Sequence, residues 1–204
     1  MALNIPVFYG SYRRDRKGIR LARYIVSRLE ARGDRPELID AMDVGLPILD
    51  RMYKEYDKGE APEAMERVAQ SLRKADAFII VSGEYNQGVQ PGLKNLMDHF
   101  LEEYFWRPSG IATYSMGRFA GVRAMMNWRT SLAEMGMPSV SQVFSVGQIH
   151  KTLSEDGEPT DQAHDGFEKS FTRFADDLAW WAEAAKAQRA KKDPPYQARA
   201  RLTG

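Results

Sequence analysis

At 204 residues the chain is long enough for one sizeable α/β domain and short for two. Its 29 Lys plus Arg nearly balance 28 Asp plus Glu, so no global field favours a nucleic acid or an anionic membrane as partner. Cysteine is absent, which excludes disulfide scaffolds, thiolate metal sites and a Cys nucleophile.

In chain order, MALNIPVFYG carries no basic segment followed by a long apolar core, so no signal peptide is expected and the cytoplasm is the default location. Residues 3–9 read as a first strand ending at Gly10-Ser11. Residues 18–32 set Ala22, Ile25, Val26 and Leu29 at helical spacing, with Gly33 as the stop. Residues 36–41 read as a second strand, followed by a loop containing Gly45, Pro47 and Gly59. A helix runs from about Pro62 to Lys74. AFIIVSG, 77–83, is a continuous apolar run of the kind that fills a parallel strand covered on both faces. After the turn 84–91 a third helix is expected from Gly92 to Glu103. Residues 109–115 read as a fourth strand and 122–136 as a fourth helix. Residues 140–146 read as a fifth strand and 147–160 as a polar loop. A long fifth helix is expected from Asp161 to Lys191, with Phe167, Phe171, Phe174, Leu178 and Trp181 forming its apolar stripe. No apolar run reaches the roughly 20 residues that span a bilayer. Residues 1–192 are expected to form one domain, and 193–204 a basic, flexible tail.

Strands alternating with helices imply a parallel sheet with helices on both faces, and ligands bind at the carboxyl ends of such strands. The loops after strands one, three and four are therefore the ones to inspect. The first, Gly10 to Gly18, joins a strand to a helix start, where free N–H groups and the helix dipole favour an anion. Ser11 offers a hydroxyl there, Gly10 and Gly18 allow close backbone approach, and Arg13 and Arg16 offer forked donors to a phosphate. Arg14 and Lys17 extend the cluster; the alternative is a solvated basic turn. The loop is neither GxGxxG nor GxxxxGK[ST]. In the second loop Tyr85, Asn86 and Gln87 offer aromatic and amide planes to a flat heteroaromatic ligand, or form a plain strand-to-helix turn. The third, Ser115 to Gly121, is weak alone and gains weight from its place beside the other two.

GSYRRDRKGIRLARYI resembles the GSxR-x-x-R-x-G segment that opens the NADPH-dependent FMN reductase family. GEYNQGVQPGLKNLMD resembles that family's PEYN-x-x-x-P-x-x-LKN-x-x-D segment, and SMGRFAGVRA its third loop. The resemblance covers roughly residues 5–182. It implies a flavodoxin-like sandwich with a five-stranded parallel sheet of order 2-1-3-4-5. It also implies an FMN cofactor, NADPH or NADH as co-substrate, and an assembly of two or four copies. Carried onto this sequence, Ser11, Arg13, Arg16 and Gly18, with Lys17 beside them, fall on the phosphate loop. Glu84, Tyr85, Asn86 and Gln87 fall on the loop that holds the isoalloxazine ring. Ser115, Gly117 and Arg118 fall at the ring's pyrimidine end. Arg16 stands where many members have Ser, and Gly83 replaces a Pro. Lys94, Asn95 and Asp98 fall on a helix that the family keeps near its subunit interface.

The implied activity is FMN-dependent NAD(P)H oxidoreduction by a ping-pong route, with a quinone, free flavin, chromate or azo compound as acceptor. The chemistry lies on flavin N5, with no side chain as catalytic acid or base. The alternatives are a flavodoxin-like electron carrier and a non-redox phosphate-ester binding protein. No metal and no nucleic-acid partner is expected. His99, His150 and His164 lack zincin spacing, and DQAHD, 161–165, reads as a solvated helix start. Tyr196 is the one aromatic of the basic tail. Trp180-Trp181 is expected in the core or at an interface.

Overall fold

A computed structural model describes residues 2–163 and 166–195. Its sheet has five strands: β1 (Asn4–Tyr9), β2 (Arg35–Asp40), β3 (Phe78–Gly83), β4 (Ser109–Tyr114) and β5 (Ser139–Val146). They are hydrogen-bonded in the order β2-β1-β3-β4-β5, and every neighbouring pair is parallel. All six residues of β3 and of β4 are buried. That follows from unbroken apolar runs that satisfy both faces of a central strand, whereas β2 and β5 mix exposed with buried positions, as edge strands do.

Seven helices lie among the described residues: α1 (Ile19–Ala31), α2 (Ala41–Val44), α3 (Glu63–Lys74), α4 (Pro91–Asp98), α5 (Val122–Glu134), α6 (Ile149–Thr152) and α7 (Phe167–Lys191). The pleat sends alternate residues to opposite layers. Ile79 and Val81 pack with Leu21, Ile25, Phe144, Phe171 and Phe174 under α1 and α7. Phe78 and Ile80 pack with Met65, Leu72, Leu96, Trp128 and Leu132 under α3, α4 and α5. Because β1 and β3 are adjacent while their following helices lie on opposite faces, the crevice between the two loops opens at the carboxyl end of the sheet.

Four expected boundaries move. The third helix, expected to reach Glu103, ends at Asp98, where the His99 carbonyl accepts from the Tyr53 N–H at 2.7 Å. Glu102–Tyr104 forms a separate 3-10 turn. The last helix begins at Phe167 rather than Asp161, because an antiparallel bridge between Leu153 and Pro159 organises the chain before it. Within 147–160, expected to be a loop, lies α6. Ala41–Val44 is also helical, capped by the Asp40 carboxylate on the Met42 N–H at 3.1 Å and stopped by Gly45 at φ 68°. His164, most of the tail and Tyr196 lie outside the described residues. Trp180 and Trp181 are exposed rather than in the core, packed edge to face on each other at 4.8 Å.

Candidate functional site

At the carboxyl ends of β1, β3 and β4 the three loops surround a cleft of about 340 Å³. Loop 10–18 contributes Ser11, Arg13, Asp15, Lys17 and Gly18 to its wall. The end of β3 and its loop contribute Gly83, Glu84 and Tyr85; the end of β4 and its loop contribute Tyr114, Ser115 and Met116. Seven of the twelve sequence-predicted residues therefore meet on one wall, while Arg16, Asn86, Gln87, Gly117 and Arg118 lie outside it.

Tyr114 forms the floor. Its hydroxyl accepts from Gln90 Nε2 at 3.0 Å, and Gln90 Oε1 accepts from the Gly83 N–H at 2.8 Å. Both ends of this buried amide are engaged, so its orientation is fixed. The phenol ring lies against Gly18, where an added Cβ would stand 1.9 Å from Tyr114 Cζ. Only glycine lets the helix start sit on the ring. The Ser11 hydroxyl is 3.1 Å from that of Tyr85, joining the first loop to the second, and Tyr9 donates to the Arg16 carbonyl at 3.3 Å. Burial pushes the Tyr9 and Tyr114 phenols above their ordinary value, so both remain neutral hydroxyls at physiological pH.

The first turn of α1 holds no acidic residue, and Gly18 gives it no side-chain cap. The N–H groups of Ile19, Arg20 and Leu21 turn back onto the carbonyls of Arg16, Lys17 and Gly18 at 2.9, 3.3 and 3.1 Å, so the helix start offers an anion its partial positive charge rather than free first-turn N–H groups. Lys17 pairs with the exposed Asp15 at 3.1 Å. Among the described residues the Arg13 and Arg14 guanidinium groups have no hydrogen-bond or ion-pair partner. Arg16 behaves differently. It turns away from the cleft to Asp40, at 2.6 Å, and lies 5.7 Å from the centre of the Tyr9 ring. Asp40 is 3% exposed at the end of β2, and a carboxylate buried there needs a counter-charge. Burial raises the Asp40 pKa, opposed by the Met42 N–H and by Arg16. Arg20 and Arg23 are not idle surface charges either: they donate to the Leu153 carbonyl at 2.8 Å and the Glu155 carbonyl at 3.0 Å, tying α1 to the segment after α6.

The second loop is a tight hairpin in which Tyr85 and Gly88 exchange backbone hydrogen bonds of 3.1 and 2.8 Å. Asn86 and Gln87 sit between them at φ 49° and 68°, the left-handed pair this two-residue turn demands. Such backbone is costly for Gln and persists only where its surroundings hold it. Here Asn127 donates to the Gln87 carbonyl at 2.9 Å. Glu84 reaches across to α5, accepting from the N–H groups of Arg123 at 2.9 Å and Ala124 at 3.3 Å. It supplies negative charge to a helix whose own N-cap, Gly121, has no side chain to offer. Glu84 thus fastens the second loop to the helix that follows the third. In the third loop Ser115 donates to the Gly117 carbonyl at 2.8 Å, and that carbonyl also accepts from the Gln148 N–H at 2.9 Å.

The cleft wall also includes Tyr114, Gly83, Asp15 and Met116, with Gln90 behind it, none of which the sequence marks as ligand-binding. Tyr114 and Gly83 end buried strands and look like core; Gln90 is one polar residue in a polar turn. Their meeting depends on the β3–β4 register, in which Gly83 lies opposite Tyr114. Among the described residues no group of three or more His, Asp or Glu is placed to hold a metal ion, and no helix is long and apolar enough to cross a membrane.

The donor set suits a flavin mononucleotide: cations and the positive end of a helix for a phosphate, hydroxyls along the wall, and a glycine-edged slot beside an aromatic residue for a flat ring. Comparison with known proteins agrees. The family described as NADPH-dependent FMN reductase matches residues 3–151. A quinone reductase of Pseudomonas putida is 26% identical over 191 residues, spanning 90% of this chain and 97% of that protein. A 2-hydroxy-1,4-benzoquinone reductase of a Burkholderia species is 34% identical over 148 residues, spanning 70% and 76%. Among solved structures, FerB of Paracoccus denitrificans, a flavoenzyme NAD(P)H:(acceptor) oxidoreductase, shares the fold. It has a TM-score of 0.72 at 22% identity, with 90% of this chain and 99% of FerB covered. The chain belongs to the NADPH-dependent FMN reductase family, and is a flavodoxin-like NAD(P)H-dependent oxidoreductase with FMN as its cofactor.

Proposed function

We propose that the cleft between the first three loops is the FMN site, that NAD(P)H and the acceptor use it in turn, and that the acceptor is a quinone. One observation carries the reading: an unpaired Arg13 beside a helix start that has neither an acid in its first turn nor a side-chain cap. Left without a ligand, that arrangement is uncompensated positive charge; a phosphate turns it into attraction. Ser11, Arg13, Lys17 and the backbone at Gly18 hold the phosphate. Arg16 positions the loop through Asp40 rather than touching the ligand. Tyr85 and Ser115 flank the ring, and Glu84, Asn86, Gln87, Gly117 and Arg118 keep the two ring loops in shape. Several relatives are named quinone reductases, which supports a quinone as acceptor.

FMN supplies hydride acceptance and donation at ring N5 when bound. The protein's share is binding, orientation and charge. Tyr114, neutral and locked by Gln90, gives the cleft a fixed polar floor. Backbone donors of the third loop around Gly117 would stabilise negative charge on the bound ring. The proposal includes one domain over residues 1–192, a homodimer or homotetramer, and a cytoplasmic location.

Initial rates measured at several NADPH and quinone concentrations test the shared site. Parallel double-reciprocal lines are expected, and intersecting lines overturn it. Arg13→Ala is expected to weaken FMN binding about 10- to 150-fold, the scale of one hydrogen bond to a charged group. Fluorescence titration of FMN measures it, and an unchanged affinity removes Arg13 from the phosphate site.

A further inference from the structure

Gly83 and Gln90 stand at the two proline positions of the PEYN-x-x-x-P-x-x-LKN segment that this stretch resembles. In their place is a hydrogen-bonded pair that two prolines could not make, since Gly83 supplies an N–H and Gln90 a side-chain amide. The fit is close: an added Cβ at Gly83 would stand 2.9 Å from Tyr114 Cζ and 3.1 Å from Gln90 Nε2. Gln90 is 1% exposed and does not line the cleft.

From Gly83 onward the donors run one way. The Gly83 N–H donates to Gln90 Oε1 at 2.8 Å, which turns the amide nitrogen to the Tyr114 hydroxyl, 3.0 Å away. Having accepted there, the Tyr114 hydroxyl gives its own proton to the Tyr9 oxygen. Tyr9 in turn donates to the Arg16 carbonyl at 3.3 Å, and the same carbonyl accepts from the Ile19 N–H at 2.9 Å. A carbonyl fixed by two donors fixes its planar peptide, whose N–H, that of Lys17, points the opposite way. Among the described residues that N–H has no acceptor, and Lys17 is on the cleft wall. Aligned hydrogen bonds polarise one another, so each link strengthens the next.

We propose that Gln90, outside the cleft, is a positioning residue for the cofactor phosphate. Through Tyr114 and Tyr9 it sets the Arg16–Lys17 peptide, and so holds the phosphate loop and the ring loop as one site. The role exists only if the cleft holds FMN as proposed above, because it is exercised on the phosphate. Riboflavin, which shares the ring and lacks the phosphate, separates the two ends of the chain.

The test is fluorescence titration of the full chain with FMN and, separately, with riboflavin. Gln90→Met and Tyr9→Phe are each expected to weaken FMN about 3- to 10-fold, the scale of one neutral hydrogen bond, and to leave riboflavin unchanged. Because both break one chain in series, the double variant should bind FMN no more weakly than the weaker of the two. Riboflavin weakened as much as FMN, additive losses in the double variant, or unchanged FMN affinity in the single variants overturns the proposal. Should Gln90→Met not fold, Tyr114→Phe breaks the same chain and takes its place. A wild type that binds neither flavin counts against the flavin reading. A wild type that binds FMN, with variants that keep its FMN-to-riboflavin ratio, counts against the role of Gln90 alone.

Discussion

Gly10→Ala is expected to lower the melting temperature by roughly 6–12 °C and to cost FMN loading with it, from a destabilisation of about 3 kcal/mol. Gly10 follows β1 directly, and an added Cβ would stand 2.3 Å from Leu93 Cα and 2.4 Å from Leu93 N. These are backbone atoms in the first turn of α4, so no side-chain rotation relieves the clash. The contact is reciprocal: a Cβ on Gly92 would meet the Gly10 carbonyl at 2.7 Å. The phosphate loop and α4 therefore pack backbone on backbone. Forcing them apart also parts Ser11 from Tyr85 and the Tyr12 ring from Gly92. Thermal melts with and without saturating FMN measure both losses. A ligand that binds only the folded state raises the melting temperature of the wild type, and Gly10→Ala should gain far less from it. A wild-type melting temperature in the variant would contradict the close approach.

Phe144→Ala is expected to cost about 3–5 kcal/mol, or roughly 6–20 °C, while leaving FMN affinity unchanged. Phe144 is 1% exposed in β5 and lies within 6.1 Å, centre to centre, of the rings of Tyr24, Phe167, Phe171 and Phe174. Truncation leaves a cavity among rigid rings that cannot collapse to fill it. None of those four partners lines the cleft. FMN should therefore raise the melting temperature of Phe144→Ala by as much as it raises the wild type. The two variants separate stability from binding: both lower the melting point, and only Gly10→Ala blunts the response to FMN. A fall of less than about 2 °C in Phe144→Ala would contradict the packing, since a shift that small allows a loss of at most about 1 kcal/mol.

The fold was legible because its signals are local. FIIVSG can be little else than a central parallel strand, and Gly33 and Gly136 punctuate the helices they follow. The stripe Phe167, Phe171, Phe174, Leu178 repeats at helical spacing without interruption. What stayed hidden depends on contacts that no hydrophobic pattern signals. Asp98 ends α4 because the next carbonyl is taken by Tyr53, and the start of α7 is delayed by a bridge between Leu153 and Pro159.

The candidate site divides along the same line. Residue types that bind anions at a helix start pointed to Ser11, Arg13, Lys17 and Gly18 without any structure. The partition of the cations did not follow from type: Arg13 and Arg16 look equivalent in sequence. Only the arrival of Asp40, 24 residues on, turns Arg16 away from the cleft. Glu84 likewise looks like a ring-loop residue until α5 arrives with an uncapped N-terminus 39 residues later. Tyr114 falls inside the expected strand 109–115 and is the floor of the site, because Gly18 and Gly83 leave it room.

The most direct measurement is an anaerobic absorbance titration of the purified protein, first with FMN and then with NADPH. Saturable binding that perturbs the flavin spectrum is expected, followed by two-electron bleaching on addition of NADPH. Both should be weakened in Arg13→Ala and preserved in Phe144→Ala. A flavin spectrum that the protein leaves unchanged, or a bound flavin that neither NADPH nor NADH bleaches, would contradict the assignment of this cleft.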